Sequence, residues 1–510
     1  MKADGARQKP GTITTVNLPS LRQIAETCFR KKPLMETIRE CKGQSELSRV
    51  LKPSELVLLG IGATVGAGIF VVTGVAAADY SGPAVVLAFL VAGIVAIFAA
   101  MCYSELAAMI PSAGSAYTYT YAGLGEVWAW IIGWTMILEY AFAISAVAVG
   151  WSGYVSSLSS HAGFVFPAAL ANPPGVEGGI INLPAVIAIL AITGLLIIGV
   201  KESARINSVI VVLKLGVILL FLYLASGSVN MANFSPFLPF GWGGVLSGAA
   251  IVFFAYIGFD AVTTAAEEIE NPERNMAIGL IGSAVIVMVL YLAVAAVLAG
   301  VVPFAELEGV AAPVTFALDR IGITWGSALV AVGAIAGLTS VLLVTLYGQT
   351  RIFYAMARDG LLPRVFAAVH AVYRTPVFVT LLTGAITALL AGLLPLNVIV
   401  ELVNIGTLTS FVIVAAGVIV LRRSYPDVHR PFRTPCYPVV PILCIVFCIA
   451  LTVTLPGITI FRFIVWMVAG LCVYFAFGAR NSVMCRKPDD GKSGPLPVVI
   501  DPACSPGDAP

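Results

Sequence analysis

Leu58-Leu59-Gly60-Ile61-Gly62-Ala63-Thr64-Val65-Gly66-Ala67-Gly68-Ile69-Phe70 is an apolar run with four glycines in nine residues. Inside a helix each glycine costs about 1 kcal/mol relative to alanine, so four together need a reason. A break at Gly66-Ala67-Gly68 frees amide N–H groups and the positive end of a half-helix, which together hold a carboxylate. Close helix packing, Gly60 with Thr64 and Gly68, uses the same residues. A second stretch, Ile251-Val252-Phe253-Phe254-Ala255-Tyr256-Ile257-Gly258-Phe259-Asp260, tips the balance toward a break. Unwound there, the chain aims the carbonyls of Phe254, Ala255 and Ile257 at a cavity, where they suit an ammonium group. Two such breaks make a receptor for a zwitterion, an α-amino acid. Phe254 or Tyr256 is placed to close over it as an aromatic gate, and the other to pack.

Between these stretches runs Ile206-Asn207-Ser208-Val209-Ile210-Val211-Val212-Leu213-Lys214-Leu215-Gly216-Val217-Ile218-Leu219-Leu220. A lysine at mid-membrane costs about 2.5–3.5 kcal/mol on insertion scales, and such residues mark pathways or coupling sites. Lys214 is expected to donate to carbonyls in the first span and to Thr339 or Ser340 in the eighth. It either tethers the helices permanently or, because burial favours a neutral amine, releases and regains a proton.

The whole chain fits this setting. Of 510 residues, 59% are hydrophobic and 11% charged, against about 25% charged in soluble domains. A span needs about 20 apolar residues. That criterion yields twelve: 54–78, 83–110, 124–158, 181–200, 203–226, 243–267, 276–302, 325–350, 377–394, 397–421, 437–455 and 459–479. Residues 1–53 read as a cytoplasmic tail with an amphipathic helix and no signal peptide, and 480–510 as a disordered cytoplasmic tail. With both ends inside, all of the 29 Lys and Arg except Lys214, Arg320 and Arg462 fall on the inner side. Breaks in spans 1 and 6 divide the chain into two five-helix halves of opposite topology, 54–226 and 243–421, with spans 11 and 12 (437–479) accessory.

Two further intramembrane acids stand out. Glu139 is the better candidate to meet a cationic substrate side chain, or else is a hydrogen-bonded structural carboxyl. Glu105, near the inner end of span 2, reads as gating, snorkelling or substrate contact. Asp260 follows the second break, where it orients the broken helix or takes part in coupling. Arg351 and Arg358 pair with Glu267–Glu273 in an inward gate, or are solvated loop charges. Cysteine and histidine spacings give no disulfide framework and no metal site, and no nucleophile–base pair or cofactor loop is visible. Neither an enzyme nor a cofactor is expected.

Gly60 to Phe70 resembles the first helix of the amino acid–polyamine–organocation superfamily. Lys201-Glu202-Ser203-Ala204-Arg205-Ile206-Asn207, Phe254 to Asp260, Glu267 to Pro272 and Arg351 to Pro363 are similar to its cationic amino acid transporter branch. The resemblance implies an all-α, twelve-helix membrane protein with the inverted 5+5 repeat of the leucine-transporter type, working by alternating access. It also implies a carboxylate site at Gly66, Ala67 and Gly68, an amine site at the carbonyls of Thr64, Phe254, Ala255 and Ile257, and Lys214 in place of a sodium site. Ala67 stands where some relatives carry a hydroxyl. Leu338 is expected to line the side-chain pocket, where its bulk leaves neutral substrates open.

The reading is secondary transport in the plasma membrane, as proton-coupled uptake of cationic or broad-range L-amino acids. Uniport or exchange, a neutral amino acid permease, and a non-transporting amino-acid sensor are the alternatives. Expected partners are the amino acid, a proton and the bilayer. A small accessory membrane subunit stays open, and nucleic acid is excluded.

Overall fold

The computed structural model describes residues 30–31, 51–110, 115–176, 178–199, 204–370 and 375–483. The expected amphipathic helix before Leu51, the tail from 486, the Lys201-Glu202-Ser203 motif and the side chains of Glu267 and Glu268 lie outside what is described. Among the described residues the fold is helical, with one isolated β-bridge joining Leu51 to Ile269. Lipid offers no hydrogen bonds, so each spanning segment satisfies its backbone within itself as a helix.

Among the described residues, eight helical stretches are long and apolar enough to cross a membrane, and four apolar helices are shorter: Pro53–Thr64, Leu183–Ile198, Val377–Leu393 and Val439–Thr454. The longest stretch, Gly68–Met109, has 42 residues. At 1.5 Å per residue it measures roughly twice the ~30 Å hydrocarbon core. It is therefore two passes, turned at Gly82, whose φ of +61° suits glycine. Span 1 is Pro53–Thr64 followed by helical turns from Gly68 to Ser81, and span 2 is Val85–Met109. Spans 3, 4 and 5 are Glu126–His161, Leu183–Ile198 and Ala204–Ser226. Span 6 is Gly241–Val252 continued by the tighter turns Phe253–Tyr256 and Phe259–Glu268. Spans 7 to 10 are Pro272–Val301, Thr324–Arg358, Val377–Leu393 and Leu396–Ser424. Val439–Thr454 and Gly457–Val473, with its extension to Asn481, complete the twelve.

Packing follows a repeat of five. Spans 2 and 7, 3 and 8, and 4 and 9 pair directly. Span 1 packs on span 7 as span 6 does on span 2, and span 5 packs on span 8 as span 10 does on span 3. Each pairing survives exchange of span n for span n+5. The short helix Ser115–Gly123, between spans 2 and 3, touches the second half of span 6. Its counterpart Pro313–Arg320, between spans 7 and 8, touches the second half of span 1. Five is odd, so the second set enters the bilayer from the opposite face.

The face that carries the chain ends is tied by charge. Glu105 is buried at the end of span 2, and Arg422 of span 10 grips it bidentately at 2.7 and 2.6 Å. The Thr434 N–H donates to it at 2.8 Å, and Arg430 Nε stands 3.5 Å away. Burial lowers the Arg430 guanidinium pKa from its ordinary value, while the nearby Glu105 opposes that shift. Glu105 thus anchors the loop after span 10 and does not snorkel to water. Arg351 lies over the Tyr347 ring, 4.4 Å from its centroid, and Asp359 accepts from the Tyr117 hydroxyl.

Candidate substrate and coupling site

Span 1 loses helical geometry at Val65, whose ψ of 99° is extended, and resumes at Ala67. Span 6 breaks at Ile257, extended with ψ 141°, and at Gly258, with φ +112°. The two breaks cross reciprocally. A Cβ on Gly68, just past the first break, would fall on the backbone of Ala255, just before the second. A Cβ on Gly258, just past the second, would sit 2.6 Å from the carbonyl oxygen of Ala63, just before the first. The close packing and the breaking of these helices, alternatives in the sequence, are one arrangement.

Two broken helices have four ends, and resident groups answer two of them. The carbonyl end of span 1's first half receives the Lys214 ammonium, whose Nζ donates to Gly62 at 2.9 Å. The Tyr291 hydroxyl of span 7 donates to the Thr64 carbonyl at 3.0 Å. A cation suits the negative end of a helix. Lys214 is completely buried, and its stem crosses Gly337 of span 8, where a Cβ would stand 2.8 Å from Lys214 Cγ. The amide end of span 6's second half carries the Asp260 carboxyl in its first turn, two residues past the break. An anion suits that end.

Gly66 faces Val341 of span 8, and Ala67 faces Gly150 of span 3. Phe254, Ala255, Leu338 and Ser340 are buried around the crossing. Glu139 is buried, with its Cβ beside Gly406 of span 10.

Three expectations need correction. Tyr256 does not serve as a gate: its hydroxyl donates to the Phe89 carbonyl at 2.8 Å, and its ring packs against Phe89 and Tyr291. Thr339 turns away from Lys214, donating to Ile335 at 2.7 Å and accepting from Trp151 at 3.0 Å. The Phe254 carbonyl is already engaged by the Ile257 N–H at 3.3 Å, because the chain tightens into a narrower turn before it breaks.

Sequence reasoning missed Tyr291, Gly337 and Glu126. Tyr291 and Gly337 lie in uniformly apolar runs, where nothing distinguishes them from packing residues. Glu126 sits at the predicted edge of span 3, where acids commonly reach water.

A bundle of twelve helices with two of them broken and crossed around a buried lysine is a membrane transporter by architecture. The amino acid permease family profile matches residues 51–477, and the chain belongs to that family. The superfamily resemblance holds, and the family consists of carriers and not enzymes. The branched-chain amino acid permease BcaP of Bacillus subtilis (strain 168) is 47% identical over 457 residues, covering 89% of this chain and 98% of that protein. The methylthioribose transporter of the same organism is 46% identical over 457 residues, covering 89% and 99%. Cationic amino acid transporter 4 of Mus musculus is 37% identical over 432 residues, covering 82% of this chain and 66% of that protein.

Proposed function

We propose that the protein is a secondary carrier that takes L-amino acids across the plasma membrane by alternating access, with both termini cytoplasmic. The reciprocal crossing of spans 1 and 6 is the observation that carries this reading. Resident charges answer two of its four broken ends. The other two, the amides that open at Gly66, Ala67 and Gly68 and the carbonyls of Ala255 and Ile257, are assigned to the substrate carboxylate and ammonium. Thr64 keeps a second lone pair for the ammonium beside the bond from Tyr291. The halves 54–226 and 243–421 are the two inverted repeats, each supplying one broken span to the site.

The apolar surroundings of Ala67, Phe254 and Leu338 favour an aliphatic side chain. A relative named for branched-chain amino acids, matched over nearly its whole length, supports leucine, isoleucine and valine ahead of arginine. Lys214 is the coupling group in place of sodium, with Ser340 assigned to it from one turn past Gly337 on span 8 and Asp260 across the break, and uptake is proton-driven.

A second reading deserves a test, because a methylthioribose transporter is similar to nearly the same degree. A thiosugar has neither carboxylate nor ammonium and would use the broken ends only as neutral hydrogen-bond partners. Uptake of labelled leucine, arginine and methylthioribose into proteoliposomes, with and without an acid-outside gradient, separates these cases. Leucine uptake driven by the gradient is expected. Gradient-insensitive leucine flux would replace symport with uniport or exchange. Leucine binding without flux would leave a sensor.

A further inference from the structure

We infer that Glu126 is a positioning residue for transport, locking the terminal ends of spans 3 and 12 into one body against which the broken spans move. The inference rests on the transport reading above. Glu126 opens span 3 and is completely buried. Its Oε2 accepts from the Tyr121 hydroxyl at 2.9 Å and from the Ser482 hydroxyl at 2.6 Å. Its Oε1 accepts from the Tyr474 hydroxyl at 3.1 Å. Hydrogen bonds to a carboxylate are about twice as strong as neutral ones, and three converge here. Tyr121 belongs to the short helix Ser115–Gly123, whereas Tyr474 and Ser482 lie in the last turns of span 12 and just past them. One carboxylate therefore joins three segments. The Glu126 N–H donates to the Arg30 carbonyl at 2.9 Å, and the Val483 N–H to the Asp359 carbonyl at 3.0 Å. Both described chain ends and the exit of span 8 are drawn into the same knot.

Deeper in the bilayer the same two spans are fixed by tryptophans. Trp134 and Trp466 each donate an indole N–H to the other's carbonyl, at 2.9 and 3.2 Å, with rings stacked 4.6 Å apart. Trp130 donates to the Gly470 carbonyl at 2.9 Å, and a Cβ on Gly470 would strike the Trp134 ring. Apolar contact alone would not hold span 12, since lipid tails compete equally for its apolar surface. Phe461, Ile464 and Val465 do face outward. Specific hydrogen bonds set its rotation instead. The same rotation matters at the site, because span 3 forms the wall beside span 1: the Tyr154 hydroxyl donates to the Phe70 carbonyl at 2.7 Å, and Gly150 abuts Ala67. Turning span 3 at its terminal end displaces that wall.

The test uses the full chain in proteoliposomes, with leucine as probe. Glu126→Ala is expected to lower the maximal rate about tenfold, with KM within about threefold of wild type. Glu126→Gln keeps a carbonyl acceptor and is expected to restore most of the rate. A raised KM at unchanged rate would make Glu126 a substrate-binding group, and a Gln variant as slow as Ala would make it a titrating one. Either result overturns the inference. If Glu126→Ala does not fold, Ser482→Ala and Tyr474→Phe carry the test, each expected to slow transport about two- to fivefold at constant KM. Full rates in both overturn it. Wild-type vesicles that take up no leucine would sink the transport reading and this inference together, so the two failures are distinguishable.

Discussion

The two breaks are related by the repeat, yet they are held by opposite charges. The exposed carbonyls of span 1 meet Lys214 and Tyr291, while the amide end of span 6's second half carries Asp260 in its first turn. Span 1 relies on groups from spans 5 and 7, 152 and 227 residues away in sequence. Span 6 relies on a residue two positions past its own break. A break held from outside changes when its neighbours shift, whereas a self-capped break keeps its shape as the helix tilts. The coupling proposed for Lys214 would accordingly enter at the end of span 1.

That contrast can be broken most forcefully at Lys214. Lys214→Ala is expected to reduce gradient-driven uptake more than about a hundredfold while the protein remains folded, because a charge held at mid-membrane has gone. Wild-type flux with an intact pH response in that variant would remove the distinction between the two ends. Gly258→Ala comes next. Its φ of +112° and the 2.6 Å approach to the Ala63 carbonyl forbid a side chain. A loss of about 2–4 kcal/mol is expected, read as a lowered melting temperature. Asp260→Ala should cost about 1–2 kcal/mol through loss of the cap, and Asp260→Asn, which still accepts from amides, much less. Equal damage from both would show that the carboxylate's charge matters more than its capping. Tyr291→Phe is the mildest, at about 0.5–1.5 kcal/mol, and sharpens the comparison by showing how much of span 1's end depends on a hydroxyl.

Much of this was legible in the chain itself. Glycines in apolar runs disclosed both breaks, and a lone lysine disclosed the buried cation at the end of span 1's first half, because each is costly without a purpose. Partners were not legible. Arg422 lies 317 residues from Glu105, and Tyr291 lies 227 from Thr64. Pairing them requires the rotation of each helix about its axis. In soluble proteins an apolar stripe reveals that rotation. In lipid the outward face is as apolar as the inward one, so the stripe is lost. Thr339 was misplaced for this reason, two positions and so more than half a turn around span 8 from Gly337, the residue that faces the Lys214 stem. Tyr256 was misread because an aromatic beside a break looks alike whether it gates or packs.

The central claim is that unpaired backbone at two crossed helices grips both charged ends of an amino acid. Thermal denaturation in detergent tests it with leucine, leucinamide, which lacks the carboxylate, and 4-methylpentanoate, which lacks the amine. A ligand at a hundred times its Kd stabilises by about 2.7 kcal/mol, enough to register. Leucine alone should raise the melting temperature; equal stabilisation by either truncated analogue would contradict the account.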